Sequence, residues 1–536
     1  MASPKPFVAR FAVAARRLAY AASVGLFLLI CAQFYIPGQG FTYLVMFGGK
    51  QASQYLPELR AQNFYADRDS YGYDAQYYAQ IAIDPNLGDP ALRTAIDSLP
   101  YRARRILFCW TAYVLGGSHP WWVLNVFAVQ NIVAWLLLAW VLLRWFSPTG
   151  WGNFLRWFAT LFTFGMCFSV RGALVDGPSL LLIAIGMALL EAGRPWWSAA
   201  VLGVAGLGKE TNILAATALA PADLRDGREW GRAIGRGLLV IAPLGVWLLC
   251  LKVWVGTGGD AGSRNFAWPF VGYFEKWQEA LRPFFHSGSG VIGRAEVFVM
   301  IGLTVQWLFF ALRPRWRDPW WRVGAIYALL MVVLGSAVWE GYPGAAPRVL
   351  LPMTLAFNIL LPRGRRWWVL LILGNLLVWP SADILVPPGR ESFQVRGSRE
   401  LRVVEANGDE LGARFNDRQW YGLERSYFDY WRWARGPATL VFHNPHPFPL
   451  TVDIRFRLKS SDERTVTVAA GSRVLWHGPT EQTEPALVFR NVVLPPGDTP
   501  WQFTTDRPAE LPPNGDLRKV AFRVCDLVIT IEAPAK

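Results

Sequence analysis

Apolar stretches recur through the first two thirds of the chain, at residues 18–36, 121–146, 154–170, 178–190, 197–220, 237–255, 291–312, 323–339, 349–361 and 367–379. Most are long enough, with tilt and flanking residues counted, to cross a bilayer as a helix. With 53% hydrophobic residues, a mean hydropathy of +0.23 and 28 Trp in 536 residues, the chain is too apolar for a soluble enzyme and reads as an integral membrane protein. The net charge of +14 suggests nucleic acid at first sight. The basic residues sit instead in short linkers between apolar runs, where the positive-inside bias puts them, so nucleic acid is discounted.

That bias sets an expected topology. Lys5, Arg10, Arg16 and Arg17 precede the first run with no small-residue cleavage pattern after it, which predicts an uncleaved signal anchor with a cytoplasmic N-terminus. The arginine-rich linkers 223–236, 313–322 and 363–366 fall on the cytoplasmic side. A first loop at 37–105, the loops 256–290 and 340–348, and everything after Pro380 then lie outside. Parity asks for an odd number of spans, about eleven if the short piece 106–117 crosses rather than lying at the interface; if it is interfacial, a break at 206–209 is the place to recover the crossing, and the side of Asp176 stays open. The expected fold is a polytopic α-helical membrane protein over residues 1–385, followed by an all-β sandwich over 386–536. Alternating runs such as ATLVFH, LTVDIRFRL, ALVFRNVVL and KVAFRVCDLVITI carry the second part.

The first outer loop is densely functionalised. Asp67, Asp69 and Asp74 stand among Tyr65, Tyr71, Tyr73, Tyr77 and Tyr78, and the loop closes on Tyr101, Arg102, Arg104 and Arg105. A helix after Gly72 would set Asp74 above Tyr77, Tyr78 and Ile81, lying on the bilayer surface. A carboxylate beside guanidinium groups suits a reaction in which a hydroxyl loses a proton and a phosphate departs, with Asp74 as general base. A solvated loop whose acids balance its arginines is the plain alternative. Asp67 and Asp69 form a D-x-D pair, but two carboxylates are too few for a hard cation, and no metal or other cofactor is assigned.

Lys209 and Glu210 lie inside an apolar run and point about 100° apart on a helix, so each needs its own partner. Asp176, Arg171, Glu340 and Arg348 are the candidates. His119 and His286 lack ligand spacing, the five cysteines show neither a disulfide framework nor a zinc pattern, and the Trp-Trp pairs at span ends read as aromatic-belt anchors. In the β part, Trp431 and Trp433 either flank the core or belong to a glycan-binding surface.

The order of YGYDAQYYAQIAIDP, PYRARRIL and a later GLGKET resembles bacterial polytopic glycosyltransferases of the GT-C superfamily, where "YDGQFYY", "YRYxRxL" and "AKE" or "GKE" segments recur in that order. Ala75 stands where the family often has Gly, and Phe108-Cys109 where it often has Tyr-Pro. The resemblance implies an inverting transferase that uses a polyprenyl-phosphate sugar outside the bacterial inner membrane, with a glycan, lipid or protein acceptor. It places the base on Asp74 and the donor phosphate on Arg102 and Arg105, with Arg104 and Arg348 as further ligands. Tyr73, Gln76, Tyr77, Lys209, Glu210 and Asp176 are expected to support them. The rivals are a transporter or flippase of lipid-linked sugars, which mid-membrane charges such as Lys209 would suit, and a non-catalytic partner in envelope-glycan assembly.

Overall fold

A computed structural model of the chain describes residues 6–67, 70–223, 225–256, 262–281, 291–341, 344–387, 392–396, 399–402, 411–416, 418–425, 430–480, 486–512 and 518–532. The chain divides into a helical unit and a β unit that begins at Val386.

Among the described residues, four helices are long and apolar enough to cross a membrane. They lie within α1 (Pro6–Ala32), α4 (Pro120–Val141, prolonged to Arg144 by a 3-10 turn), α9 (Gly227–Trp254) and α10 (Val291–Leu312). Helix α9 shows why lipid is needed: Leu238, Ile241, Leu249 and Val253 are 55–81% exposed, an apolar face that water would not tolerate. While α2 (Ala75–Ile83) belongs to the first loop, the other apolar stretches form shorter helices, including α3 (Leu107–Leu115), α5 (Trp151–Leu161), α6 (Phe164–Arg171), α7 (Asp176–Glu191) and α8 (Pro195–Gly208). The run 154–170, for example, breaks at Thr163, whose backbone is extended. Helix α3, at nine residues, is about 14 Å long and does not by itself cross a bilayer.

The first loop is folded into the helical unit. Gly72 turns the chain into α2 at φ +78°, and a Cβ there would stand 2.1 Å from the Gln76 side chain. Gln76 accepts from Tyr55 Oη at 2.7 Å and donates to the Tyr71 carbonyl at 2.8 Å, while Gln80 accepts from Leu56 N at 3.0 Å. Both glutamines are buried and satisfied, so they hold α2 in place through its polar face. Its other face does not rest on a bilayer surface as the sequence suggested. Tyr78 and Ile81 are buried, and α2 packs against α3 and α4.

The β unit holds two sheets. Its strands are β1 (Ser392–Arg396), β2 (Arg399–Arg402), β3 (Gly412–Phe415), β4 (Glu424–Arg425), β5 (Tyr430–Trp433), β6 (Ala438–Asn444), β7 (Leu450–Ser460), β8 (Arg464–Ala470), β9 (Arg473–Thr480), β10 (Ala486–Leu494), β11 (Gly497–Thr505) and β12 (Phe522–Glu532). One sheet runs β9-β8-β11-β6-β3; the other runs β10-β7-β12-β1-β2, with β5 also on β12 and β4 on β5. Among the described residues, only the β12–β1 pairing is parallel in these two sheets. Alternation puts Leu440 and Phe442 of one sheet and Ile454, Phe456 and Leu458 of the other into a single core. Asn491 and Asp526 take positive φ at two bulges, a conformation their short polar side chains tolerate.

Candidate functional site

A cavity of about 320 Å³ in the helical unit is lined by Asp74, Arg102, Arg105, Asp176, Lys209 and Arg348 among its walls. Six charged side chains from five separate segments therefore meet at one place.

Asp74 stands at the start of α2, its side chain 34% exposed, with Oδ1 3.0 Å from Arg102 Nη1. Its Oδ2 has no hydrogen-bond partner among the described residues. Arg102 gives Nε and Nη2 to the two oxygens of Asp97, at 3.0 and 2.7 Å, and its Nη1 forms the ion pair with Asp74. The rings of Tyr77, Tyr78 and Tyr101 surround that guanidinium at 5.0 to 5.7 Å. Burial pulls its pKa down, but the Asp97 hydrogen bonds and the Asp74 charge outweigh this and hold it above the usual arginine value.

Arg105, just before α3, donates from Nε to Glu210 Oε2 at 2.9 Å and from Nη1 to Tyr78 Oη at 2.7 Å. Desolvation lowers its pKa, yet Tyr78 and Glu210 lift it well above the ordinary range. Lys209 Nζ reaches Asp176 Oδ1 at 2.5 Å, and Arg348 Nη1 reaches Asp176 Oδ2 at 3.1 Å. Arg348 Nη2 donates to Tyr73 Oη at 2.9 Å. One buried carboxylate is shared by two buried cations.

Local backbone sets these positions. Helix α8 ends where Lys209 turns extended, and the Asn212 side chain donates to the Ala205 carbonyl at 2.8 Å to close the break. Asp176 opens α7, where Gly177 N donates to Ser169 Oγ at 2.8 Å. Arg348 approaches because Gly165 of α6 has no side chain: a Cβ there would stand 2.5 Å from the Pro347 carbonyl.

Not every residue singled out in the sequence reaches the cavity. Arg104 does not line it; its guanidinium stands 5.6 Å over the Tyr101 ring, because the turn before α3 sends successive side chains in different directions. Gln76, Tyr77, Tyr73 and Glu210 stand behind the walls, as anchor, ring platform, Arg348 partner and Arg105 partner. Of the partners proposed for Lys209 and Glu210, Asp176 takes Lys209, whereas Glu340 faces Arg264 and Arg171 donates to the Tyr43 carbonyl. Asp97, the bidentate holder of Arg102, escaped the sequence reading, although an acid five residues before an arginine across a Ser-Leu-Pro turn was a usable signal. Asp67 lies in a two-residue parallel pairing with Phe47–Gly48, and Asp69 and His286 lie outside the described residues. Trp320 and Trp321 are 3% and 6% exposed, so that pair is interior rather than an anchor at a lipid surface. Trp431 and Trp433 are half-buried beside Arg523.

An apolar groove of about 750 Å³ in the helical unit is lined by Leu107, Phe108, Val129, Leu137, Leu181 and Val204 among others. It is built on the same helices as the cavity: α3 follows Arg105, α7 starts at Asp176, and α8 leads to Lys209. No family model and no curated protein matches the chain.

Proposed function

We propose that the protein is an inverting glycosyltransferase of the GT-C kind, moving a sugar from a polyprenyl-phosphate donor to an acceptor hydroxyl at the outer face of a bacterial inner membrane. The observation that carries the reading is a cavity lined by acids and cations at the ends of α3, α7 and α8, the helices that also line an apolar groove. A ligand with an anionic head and a long apolar tail matches both.

In this mechanism the free Oδ2 of Asp74 takes the acceptor's proton as the acceptor oxygen attacks the anomeric carbon. The bond from that carbon to the phosphate oxygen breaks, and one displacement inverts the centre. Four cations line the cavity against two carboxylates, and Asp97 and Glu210 behind Arg102 and Arg105 bring the cluster to four of each sign. Lys209 and Arg348 share the single carboxylate of Asp176, and that local surplus of one positive charge suits a phosphate gaining negative charge as it leaves. Arg102, engaged by Asp74 and Asp97, orients the base more than it binds phosphate, and Lys209, Arg348 and Arg105 take the leaving group. The eleven-span topology and the sandwich form of the β unit belong to the same reading, with short helices such as α5 and α6 crossing as pairs.

One observation favours the transporter reading: a helix broken at an ionisable residue, Lys209, is a transporter device. Proteoliposomes loaded with a radiolabelled polyprenyl-phosphate sugar separate the possibilities. Release of polyprenyl phosphate with label passing to an acceptor supports the transferase, label crossing intact supports the flippase, and neither supports an assembly partner.

A further inference from the structure

A third pocket, of about 200 Å³, lies far from the cavity and has no acid among the described residues of its lining. Helix α7 measures the separation. It starts at Asp176 in the cavity and ends at Glu191, which holds Arg144 and Trp145, and its 16 residues span about 24 Å. Arg363, on the wall of the pocket, donates to the Trp145 carbonyl at 3.0 Å, so the pocket sits at the Glu191 end.

Its floor is Arg156, only 3% exposed. The Arg156 guanidinium meets the carbonyls of Asn358, Leu361 and Pro362 at 2.9, 2.5 and 3.0 Å, and no carboxylate pairs with it among the described residues. Its Nε has no acceptor among the described residues. Those carbonyls close the helix Leu351–Leu360, whose end supplies about half a negative charge. No acid in the described lining compensates the remainder of the Arg156 charge, which is costly for a buried cation, or the charge on the exposed Arg363. The mouth is formed by the start of α5, where Gly150 offers no side-chain cap and the amides of Trp151 and Gly152 have no acceptor among the described residues. Trp367 and Trp368 complete the rim.

We propose that this pocket binds a phosphate-type anion between Arg156, Arg363 and the amides of α5. The tryptophan rim favours the headgroup of an anionic lipid as its source, with free phosphate as the other source of the same chemistry. The site is independent of sugar transfer; a flippase with this chain would hold the anion too.

The test uses the purified full-length protein in detergent, with short-chain phosphatidylglycerol, inorganic phosphate and short-chain phosphatidylcholine as probes, read by native mass spectrometry and melting temperature. Two variants accompany it. Arg363→Gln removes the exposed cation, and Gly152→Asp places a carboxylate where a Cβ meets nothing within 4 Å. An acid in a helix's first turn favours the helix, so Gly152→Asp should melt no lower than the parent while losing the anion. Binding of phosphatidylglycerol that weakens about tenfold or more in both variants supports a lipid headgroup. The same pattern for inorganic phosphate supports a free anion. Binding of neither probe, binding undiminished in both variants, or phosphatidylcholine retained as well as phosphatidylglycerol overturns the proposal.

Discussion

Asp74 and Arg102 face each other at 3.0 Å across the cavity wall, and Arg102 is braced from behind by both oxygens of Asp97. The carboxylate assigned as base is thus held in one orientation by a guanidinium that is itself locked.

Lysine cannot reproduce that fork, since it offers a point charge where Asp97 takes two parallel N–H groups and Asp74 pairs with the third nitrogen. Arg102→Lys should retain some transfer at neutral pH and lose it relative to the parent as pH rises through about 10, where lysine discharges. In the parent the pair behaves differently. The raised pKa of Arg102 keeps the contribution fully present below the ordinary arginine range, and it is lost only as pH climbs beyond that. A parent pH–rate profile that falls in step with the variant's would contradict the arrangement.

Asp176 is the counter-charge for both Lys209 and Arg348. Asp176→Asn strands two buried cations and should cost about 3–5 kcal/mol in unfolding free energy. Polyprenyl phosphate should restore part of the lost melting temperature by supplying an anion. A variant as stable as the parent, or no response to that lipid, counts against the cavity as a phosphate seat.

Filling the groove should separate the tail from the head of the donor. Val129→Trp narrows the wall contributed by α4. The ratio kcat/KM should fall about tenfold for a long-chain donor while a short water-soluble isoprenoid donor is little affected. Equal losses for both donors would mean that the groove is not where the tail lies.

In the β unit, Trp420 is 2% exposed, edge-on to Phe415, Phe503 and Phe522, with its indole N–H on the Thr439 carbonyl at 2.9 Å. Trp420→Ala should destabilise that unit by about 3–5 kcal/mol, read as faster hydrogen exchange in β6. A change under about 1 kcal/mol would place the core elsewhere.

How much of this the sequence carried depended on distance along the chain. Strand runs were legible because period-2 alternation is local: ALVFRNVVL is β10 residue for residue, and LTVDIRFRL is most of β7. The gathering of acids and arginines in the first loop was legible too, since Asp74 and Arg102 are joined by one short segment. The pairing of Arg105 with Glu210 was not, because the partners are 105 residues apart and only tertiary packing brings them together. The division of most apolar runs into short helices was equally hidden, because hydropathy reports only that a stretch is apolar. The break at 206–209 was the exception: span parity pointed to it, and Asp176 and Asn212 are there to satisfy it.

The most direct test compares the parent with Asp74→Asn in proteoliposomes containing a labelled polyprenyl-phosphate sugar and an acceptor, with donor binding measured in parallel. The account predicts that transfer falls by about a hundredfold or more while donor affinity stays close to the parent's. An Asp74→Asn protein that turns over at the parental rate would contradict it.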